Sequence, residues 1–270
     1  MLIRKLVASA TRPTKRIQRW YFGVGLVGLM LLMVWMGLRF VFSSRVIVDE
    51  RHHLKLSGEL VDLLANEHDV LGIDISQYQR HIDWQRVRDE RIAGKPIQFV
   101  FIKATEGITR QDPLFSQHWT KAHASGFICG AYHFFYATRD PMQQAKNFER
   151  QVNLQAGDLP PVLDIELSNH QPDSIVRQTM RIWLTEITRH YGVKPIIYTN
   201  LAFYRKYLKG YFDAYPLWIA QHHADRIAVD IPNWLCWQIS DEVHIAGISG
   251  FTDLNIFHGD SNDLRKICLP

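Results

Sequence analysis

Three hydrophobic patterns follow one another along these 270 residues. The first is an unbroken apolar run, Trp20 to Leu38, 19 residues without a charge. At about 1.5 Å per residue it roughly spans a bilayer's hydrocarbon core of ~30 Å. The second lies in residues 54–68, where Leu56, Leu60, Leu63 and Leu64 recur at helical spacing. The third begins at Val70. Short apolar runs there alternate with longer amphipathic ones to the end of the chain.

The short runs read as strands: VLGIDIS (70–76), PIQFVFIKATEG (96–107), CGAYHFFYAT (129–138), PPVLDIEL (160–167), KPIIYTN (194–200), PLWIAQ (216–221) and WLCWQIS (234–240). The longer ones read as helices. Asp112-Pro113 and Asp140-Pro141 are start signals for helices over 112–127 and 140–153. Val176, Met180, Trp183, Leu184 and Ile187 share one face of a helix over 173–191, closed by Gly192. The βαβα rhythm predicts an α/β fold with a mostly parallel sheet, and about eight strands in ~200 residues favour a compact barrel over an open sheet.

In such a barrel, chemistry gathers at the C-terminal ends of the strands. The predicted strands end in polar residues there, among them Asp74, Lys103, Glu106, His133, Tyr136, Tyr198, Asn200, Gln221 and Gln238. The strand over 160–167 carries the sharpest signal, Asp164 and Glu166 two positions apart in an apolar run. Residues i and i+2 of a strand point to one face, so both carboxyls occupy one small volume. Two buried carboxyls have their pKa values pushed apart, as an acid catalyst beside an anion requires. A bland alternative stands beside it, a strand end whose carboxyls meet solvent or an arginine.

Charge divides the chain. Residues 1–45 carry eight basic residues and no acidic one, while residues 46–270 hold 23 basic and 27 acidic groups. The body is therefore mildly acidic, and nucleic acid is not an expected partner. Six basic residues precede the apolar run, so the positive-inside rule keeps residues 1–19 cytoplasmic. The run, extended to residues 20–42, becomes a single transmembrane helix. Residues 43–69 form a stalk, and residues 70–270 form a body on the periplasmic or extracellular side of the cell membrane. A cleaved signal peptide is the competing reading. It is disfavoured by the length of the run and by Phe42-Ser43-Ser44-Arg45, a poor cleavage site.

Cys129, Cys236 and Cys268 form no disulfide framework, and a Cys236–Cys268 bridge has nothing to favour it. No cluster has zinc-ligand spacing, and no metal or cofactor is called for. The pairs His52-His53 and His222-His223 read as surface residues.

Eight motifs now occur in order: GIDIS (72–76) with IDW (82–84), FVFIKATEG (99–107), GAYHFF (130–135), PVLDIE (161–166), IIYTN (196–200), PLWIA (216–220), WQIS (237–240) and GISGFTDLNIF (247–257). Together they resemble the glycoside hydrolase family 25 lysozymes, the Chalaropsis-type N-acetylmuramidases, over about residues 70–260. The resemblance implies an irregular, flattened β/α (TIM-like) barrel. It also implies hydrolysis of the β-1,4 bond between N-acetylmuramic acid and N-acetylglucosamine in peptidoglycan. Asp74, Asp164, Glu166 and Asp253 match the family's four active-site carboxylates.

The expected roles follow. Glu166 is the general acid, kept protonated by neighbouring anions. Asp164 stays ionised, either as nucleophile or as the group that orients the substrate's own 2-acetamido nucleophile; the D-x-E spacing favours the second, with retention of configuration. Asp74 and Asp253 lie behind them. Tyr132 and Tyr198 place phenols near the acetamido group or Asp164, and Trp218 and Gln238 line sugar subsites. Lys103, Glu106 and His133 are expected in structural pairs, and Trp84, Trp119 and Trp183 in the core. The alternative function is a non-catalytic peptidoglycan-binding protein on the same fold.

Overall fold

The computed structural model describes Leu64 and residues 70–222, 231 and 233–270. The chain divides into two compact units, Met1–Leu56 and Ser57–Pro270, and every described residue belongs to the second. The predicted cytoplasmic segment, the transmembrane helix and nearly all of the stalk lie outside the described residues. Among the described residues no helix is long and apolar enough to cross a membrane. Leu64, assigned to the stalk, is buried in the core of the body.

The strands are β1 (Val70–Ile75), β2 (Arg91–Ile92), β3 (Lys95–Glu106), β4 (Arg110–Gln111), β5 (Ile128–Phe134), β6 (Val162–Asp164), β7 (Ile196–Asn200), β8 (Leu217–Ala220), β9 (Trp234–Val243) and β10 (Thr252–Phe257). The helices are α1 (Trp84–Asp89), α2 (Phe115–Ala124), α3 (Pro141–Gln151), α4 (Asp173–Tyr191), α5 (Leu201–Phe203) and α6 (Ser261–Ile267). Alternation of strand and helix gives the expected α/β class. The sheet runs β1-β10-β9-β8-β7-β6-β5-β3 and returns to β1, so eight strands close into a barrel. From β1 through β3 and β5 to β9 every pairing is parallel. β10 runs antiparallel to both β9 and β1 and closes the ring.

The local signals explain most boundaries. Asp140 caps α3, its carboxylate accepting from the Gln143 amide, with Pro141 in the first turn. α4 spans the predicted residues and ends on Gly192, whose φ of 74° only glycine adopts at little cost. α2 is shorter than predicted. The Asp112 carboxylate is taken up by the amides of Leu114 and Gln77, so it ties two loops together instead of capping the helix. β6 is shorter too, and Glu166 lies two residues past its end.

Alternation along the strands makes two cores. Val100, Ile102, Ala104, Leu163, Ile197 and Ile219 face a large outer cluster that also holds Trp84, Trp183 and, at its margin, Trp119. Phe99, Phe101, Val162, Ile196, Trp218, Cys236 and Phe257 form a second cluster inside the barrel. The interior admits these aromatics because two partners are glycine. Gly72 pairs with Phe99 on β3, and Gly130 on β5 pairs with Phe101. A Cβ at either glycine would collide with the partner ring. Phe101 then stacks on Trp218 across the interior, ring centroids 4.4 Å apart.

Candidate active site

The residues that matter sit one step further along each strand from the interior core. Val162 is interior, so by the two-residue period Asp164 and then Glu166 point to the same side. The same step runs from Gly72 to Asp74, from Phe101 to Lys103, from Gly130 to Tyr132, from Ile196 to Tyr198 and from Cys236 to Gln238. All of these, with Trp218 and Asp253, line one cleft of about 380 Å³ at the C-terminal end of the barrel. Asp253 arrives differently. It is the second residue of β10, and only the reversed direction of that strand sets it opposite Asp74, its partner in the ladder. The four carboxyls and Tyr132, Tyr198, Trp218 and Gln238 are all in the cleft, whereas the strand-end residues Glu106, His133, Tyr136, Asn200 and Gln221 do not line it.

Behind the carboxyls lies a fixed hydrogen-bond frame. The Tyr198 hydroxyl donates to Gln238 Oε1 at 2.9 Å, and Gln238 Nε2 donates to Asp74 Oδ2 at 2.9 Å. Asn255 Nδ2 donates to the same Asp74 oxygen at 2.8 Å, and the Trp218 indole donates to Asn255 Oδ1 at 2.8 Å. Trp218 lines the cleft although it is only 2 % exposed. Its ring lies between Phe101 and Tyr198.

The four carboxyls do not share one charge state. Burial raises Asp74, while hydrogen bonds from Asp253, Asn255 and Gln238 pull it back. Burial, the charge of Asp74 and the hydrogen bond to Asp74 hold Asp253 far above the carboxylate range. Asp253 therefore keeps a proton and donates it to Asp74. Glu166 is raised as well, but burial comes ahead of the charge of Asp74, a correction to the expected dominance of neighbouring anions.

Asp164 departs further from expectation. Burial lifts it well above its ordinary range, with Glu166 adding to the effect and Lys103 opposing it. That direction opposes the ionised form expected of Asp164. Its Oδ1 is buried and has no hydrogen-bond partner among the described residues. Past Glu166 the backbone is strained at Asn169 and His170, with φ of 51° and 60°. The Asn169 side chain accepts from the Ala137 amide at 3.2 Å, which anchors this loop.

Lys103 pairs with Glu106 at 2.8 Å, and the Tyr136 hydroxyl donates to Glu106 at 2.8 Å. Burial pulls Glu106 up, but these partners hold it below its ordinary value. Lys103 nevertheless also lines the cleft. Burial depresses His133 to about 3, so it stays neutral between Thr105 and Gln144 and is structural as expected. All three cysteines are thiols.

Two residues were missed. His222, expected at the surface, is half-buried in the cleft wall, with Nε2 3.0 Å from Gln238 Oε1 and Nδ1 3.4 Å from Asp241. Nothing in the sequence marks it. Asn255 had a usable signal, since it stands two residues from Asp253 and reading TDLNIF as a strand would have put both on one face. Among the described residues no group of three or more His, Cys, Asp and Glu side chains could hold a metal ion.

Such a cleft can donate a proton to a glycosidic oxygen and stabilise positive charge on a sugar ring. Comparison with known proteins agrees. The sequence pattern of glycosyl hydrolases family 25 matches residues 73–248. Lysozyme M1 of Streptomyces globisporus is 32 % identical over 221 residues, covering 75 % of this chain and 72 % of that one. YegX of Escherichia coli K12 is 34 % identical over 254 residues, 93 % of each chain. The solved structure of a family 25 glycosyl hydrolase from Bacillus anthracis superposes with a TM-score of 0.69 at 29 % identity, over 74 % of this chain and 94 % of that one.

Proposed function

This chain belongs to glycosyl hydrolases family 25, and from that premise we propose how its cleft hydrolyses peptidoglycan. The enzyme is a lysozyme acting on the β-1,4 bond between N-acetylmuramic acid and N-acetylglucosamine. Glu166 is the general acid. Burial keeps it protonated above the usual carboxylate range, so it can deliver its proton to the leaving oxygen.

The observation that carries the mechanism is the unpartnered, buried Oδ1 of Asp164 beside Glu166. A buried acceptor without a donor is costly, and a substrate 2-acetamido N–H supplies one. A donor to Oδ1 favours the ionised form of Asp164 and opposes the upward pull of burial. The charge on Asp164 then orients the acetamido group, whose carbonyl oxygen attacks the anomeric carbon. Water then attacks the anomeric carbon from the face the leaving group vacated, gives its proton to Glu166 and breaks the ring's C–O bond, with retention of configuration. Tyr132 and Tyr198 stay neutral, held there by burial, and present phenols beside the reacting ring. The frame of Gln238, Asn255 and Trp218 fixes Asp74 and, through it, the proton of Asp253.

The test is digestion of purified peptidoglycan. Reducing-end N-acetylmuramic acid should appear with the native enzyme and be absent with Glu166→Gln. Trapping the reaction and finding a sugar covalently attached to Asp164 would overturn substrate assistance in favour of direct attack.

Residues 20–42 anchor the enzyme in the cell membrane, with the body on the side where peptidoglycan lies. The uncharged run and the basic residues before it support this reading. So does the YegX match, whose coverage reaches into that run. A tether raises effective concentration at the wall, which suits a body that is mildly acidic. Resistance of the full chain to alkaline carbonate extraction is the expected result; release into the supernatant would reject the anchor.

A further inference from the structure

The barrel has a second cavity, of about 730 Å³, at the end opposite the catalytic cleft. Its walls include Pro96 and Gln98 at the start of β3 and Ile128 at the start of β5. Three arginines from three elements line it: Arg88 from α1, Arg91 from β2 and Arg265 from α6. We propose that this cavity binds a phosphate-bearing anion.

The guanidinium groups there bond to neutral acceptors. Arg88 donates to the Gly126 carbonyl, Arg91 to the carbonyls of Arg88 and Glu90, and Arg265 to the Asn262 side-chain oxygen. Among the described residues none of the three guanidinium groups has a carboxylate partner. The carboxylates on the neighbouring segments are engaged elsewhere. Asp89 accepts from Gln85, and Glu90 from the amides of Arg91 and Ala246. Asp158 is held by His123 at 2.6 Å, and Asp263 by Lys266 at 2.8 Å.

Three guanidinium groups lining one cavity, none with a carboxylate partner among the described residues, give its wall a positive field that the concave shape concentrates. Each guanidinium is a planar fork suited to two oxygens of one phosphate. Their neutral acceptors leave further N–H groups of each fork for a ligand. The catalytic cleft offers the opposite chemistry, four carboxyls, so the two sites do not compete for one ligand. The phosphate can be free or part of a phospholipid headgroup, and the two are separable by experiment.

The full chain in neutral detergent is titrated calorimetrically with inorganic phosphate, against chloride at equal ionic strength. In a second arm the micelles carry short-chain phosphatidylglycerol or, as control, phosphatidylcholine. Native protein is expected to bind phosphate or the phosphatidylglycerol micelles. Arg265→Gln is expected to weaken that binding about tenfold or more, since each lost charge-assisted contact is of that order. Arg88→Gln/Arg91→Gln/Arg265→Gln is expected to abolish it while peptidoglycan hydrolysis stays at the native rate. Binding in the first arm identifies free phosphate, and binding in the second alone identifies a headgroup. No binding in either arm, or equal affinity in native and triple variant, overturns the proposal. If the triple variant loses hydrolysis, Arg91→Gln and Arg265→Gln, both at exposed positions, carry the same test singly.

Discussion

Asn255 is the residue on which the cleft frame depends most, and its replacement makes a quantitative test. Its side chain is wholly buried, donates to Asp74 and accepts from the Trp218 indole. Asn255→Leu keeps the approximate volume and removes both bonds. Losing a hydrogen bond to a charged group costs about 1.5–3 kcal/mol, and leaving a buried indole N–H without an acceptor about 1–3 kcal/mol. Extra apolar contact from leucine offsets part of this. The expected loss is about 3–5 kcal/mol, a large share of a domain stability of about 5–15 kcal/mol. Trp218→Phe removes the indole N–H. In the double variant the orphaned-donor cost vanishes, so its loss should fall short of the summed single losses by about 1–3 kcal/mol. Urea unfolding of the full chain in neutral detergent, followed by tryptophan fluorescence, reads this as a midpoint shift of about 1 M or more. A loss below about 1 kcal/mol, or additivity of the two changes within about 0.5 kcal/mol, would refute the reasoning.

Other consequences are equally direct. Gly72→Ala drives a Cβ into the Phe99 ring and is expected to cost about 1–3 kcal/mol, partly restored by Phe99→Leu; an unchanged unfolding midpoint in Gly72→Ala would contradict the pairing. Hydrolysis needs Glu166 protonated, and its pKa is raised, so activity should persist above the ordinary glutamate value of about 4.3 and fall as pH rises through the shifted one. A pH–rate profile whose basic limb sits at the ordinary value would reject the raised acid. The raised pKa of Asp253 contributes stability at low pH that is lost as pH rises through the folded value. Asp253→Asn keeps a donor towards Asp74 that cannot ionise, so midpoints measured from acid to alkaline pH should fall less steeply than in the native enzyme; parallel curves would deny the shared proton. Asp164→Asn should lower kcat far more than it raises KM, because its charge is used only as the acetamido group attacks.

The one-dimensional pattern determined a great deal. Apolar alternation located seven of the eight barrel strands, and Asp140-Pro141 and Gly192 placed helix ends that the structure keeps. The D-x-E pair was legible because a two-residue period is a local property of any extended chain. The missing strand, β10, does alternate, with Asp253 and Asn255 on one face and Leu254 and Ile256 on the other, but TDLNIF stood out only as a motif and not as a strand.

Tertiary structure decided the rest. Ring closure by an antiparallel strand sets Asp253 against Asp74, and no local signal encodes the direction in which a strand joins a sheet. Burial is the leading cause that raises all four carboxyls, and burial is a property of everything packed around a residue. Asn255 and His222 act through partners 181 and 16 positions away in sequence, Asp74 and Gln238. Arg88 and Arg91 are near neighbours in sequence, but Arg265 comes from the last helix, and only the folded barrel brings its charge to the same wall. A sequence records which groups a protein has; their distances, and hence their pKa values and partners, exist only once the chain has folded.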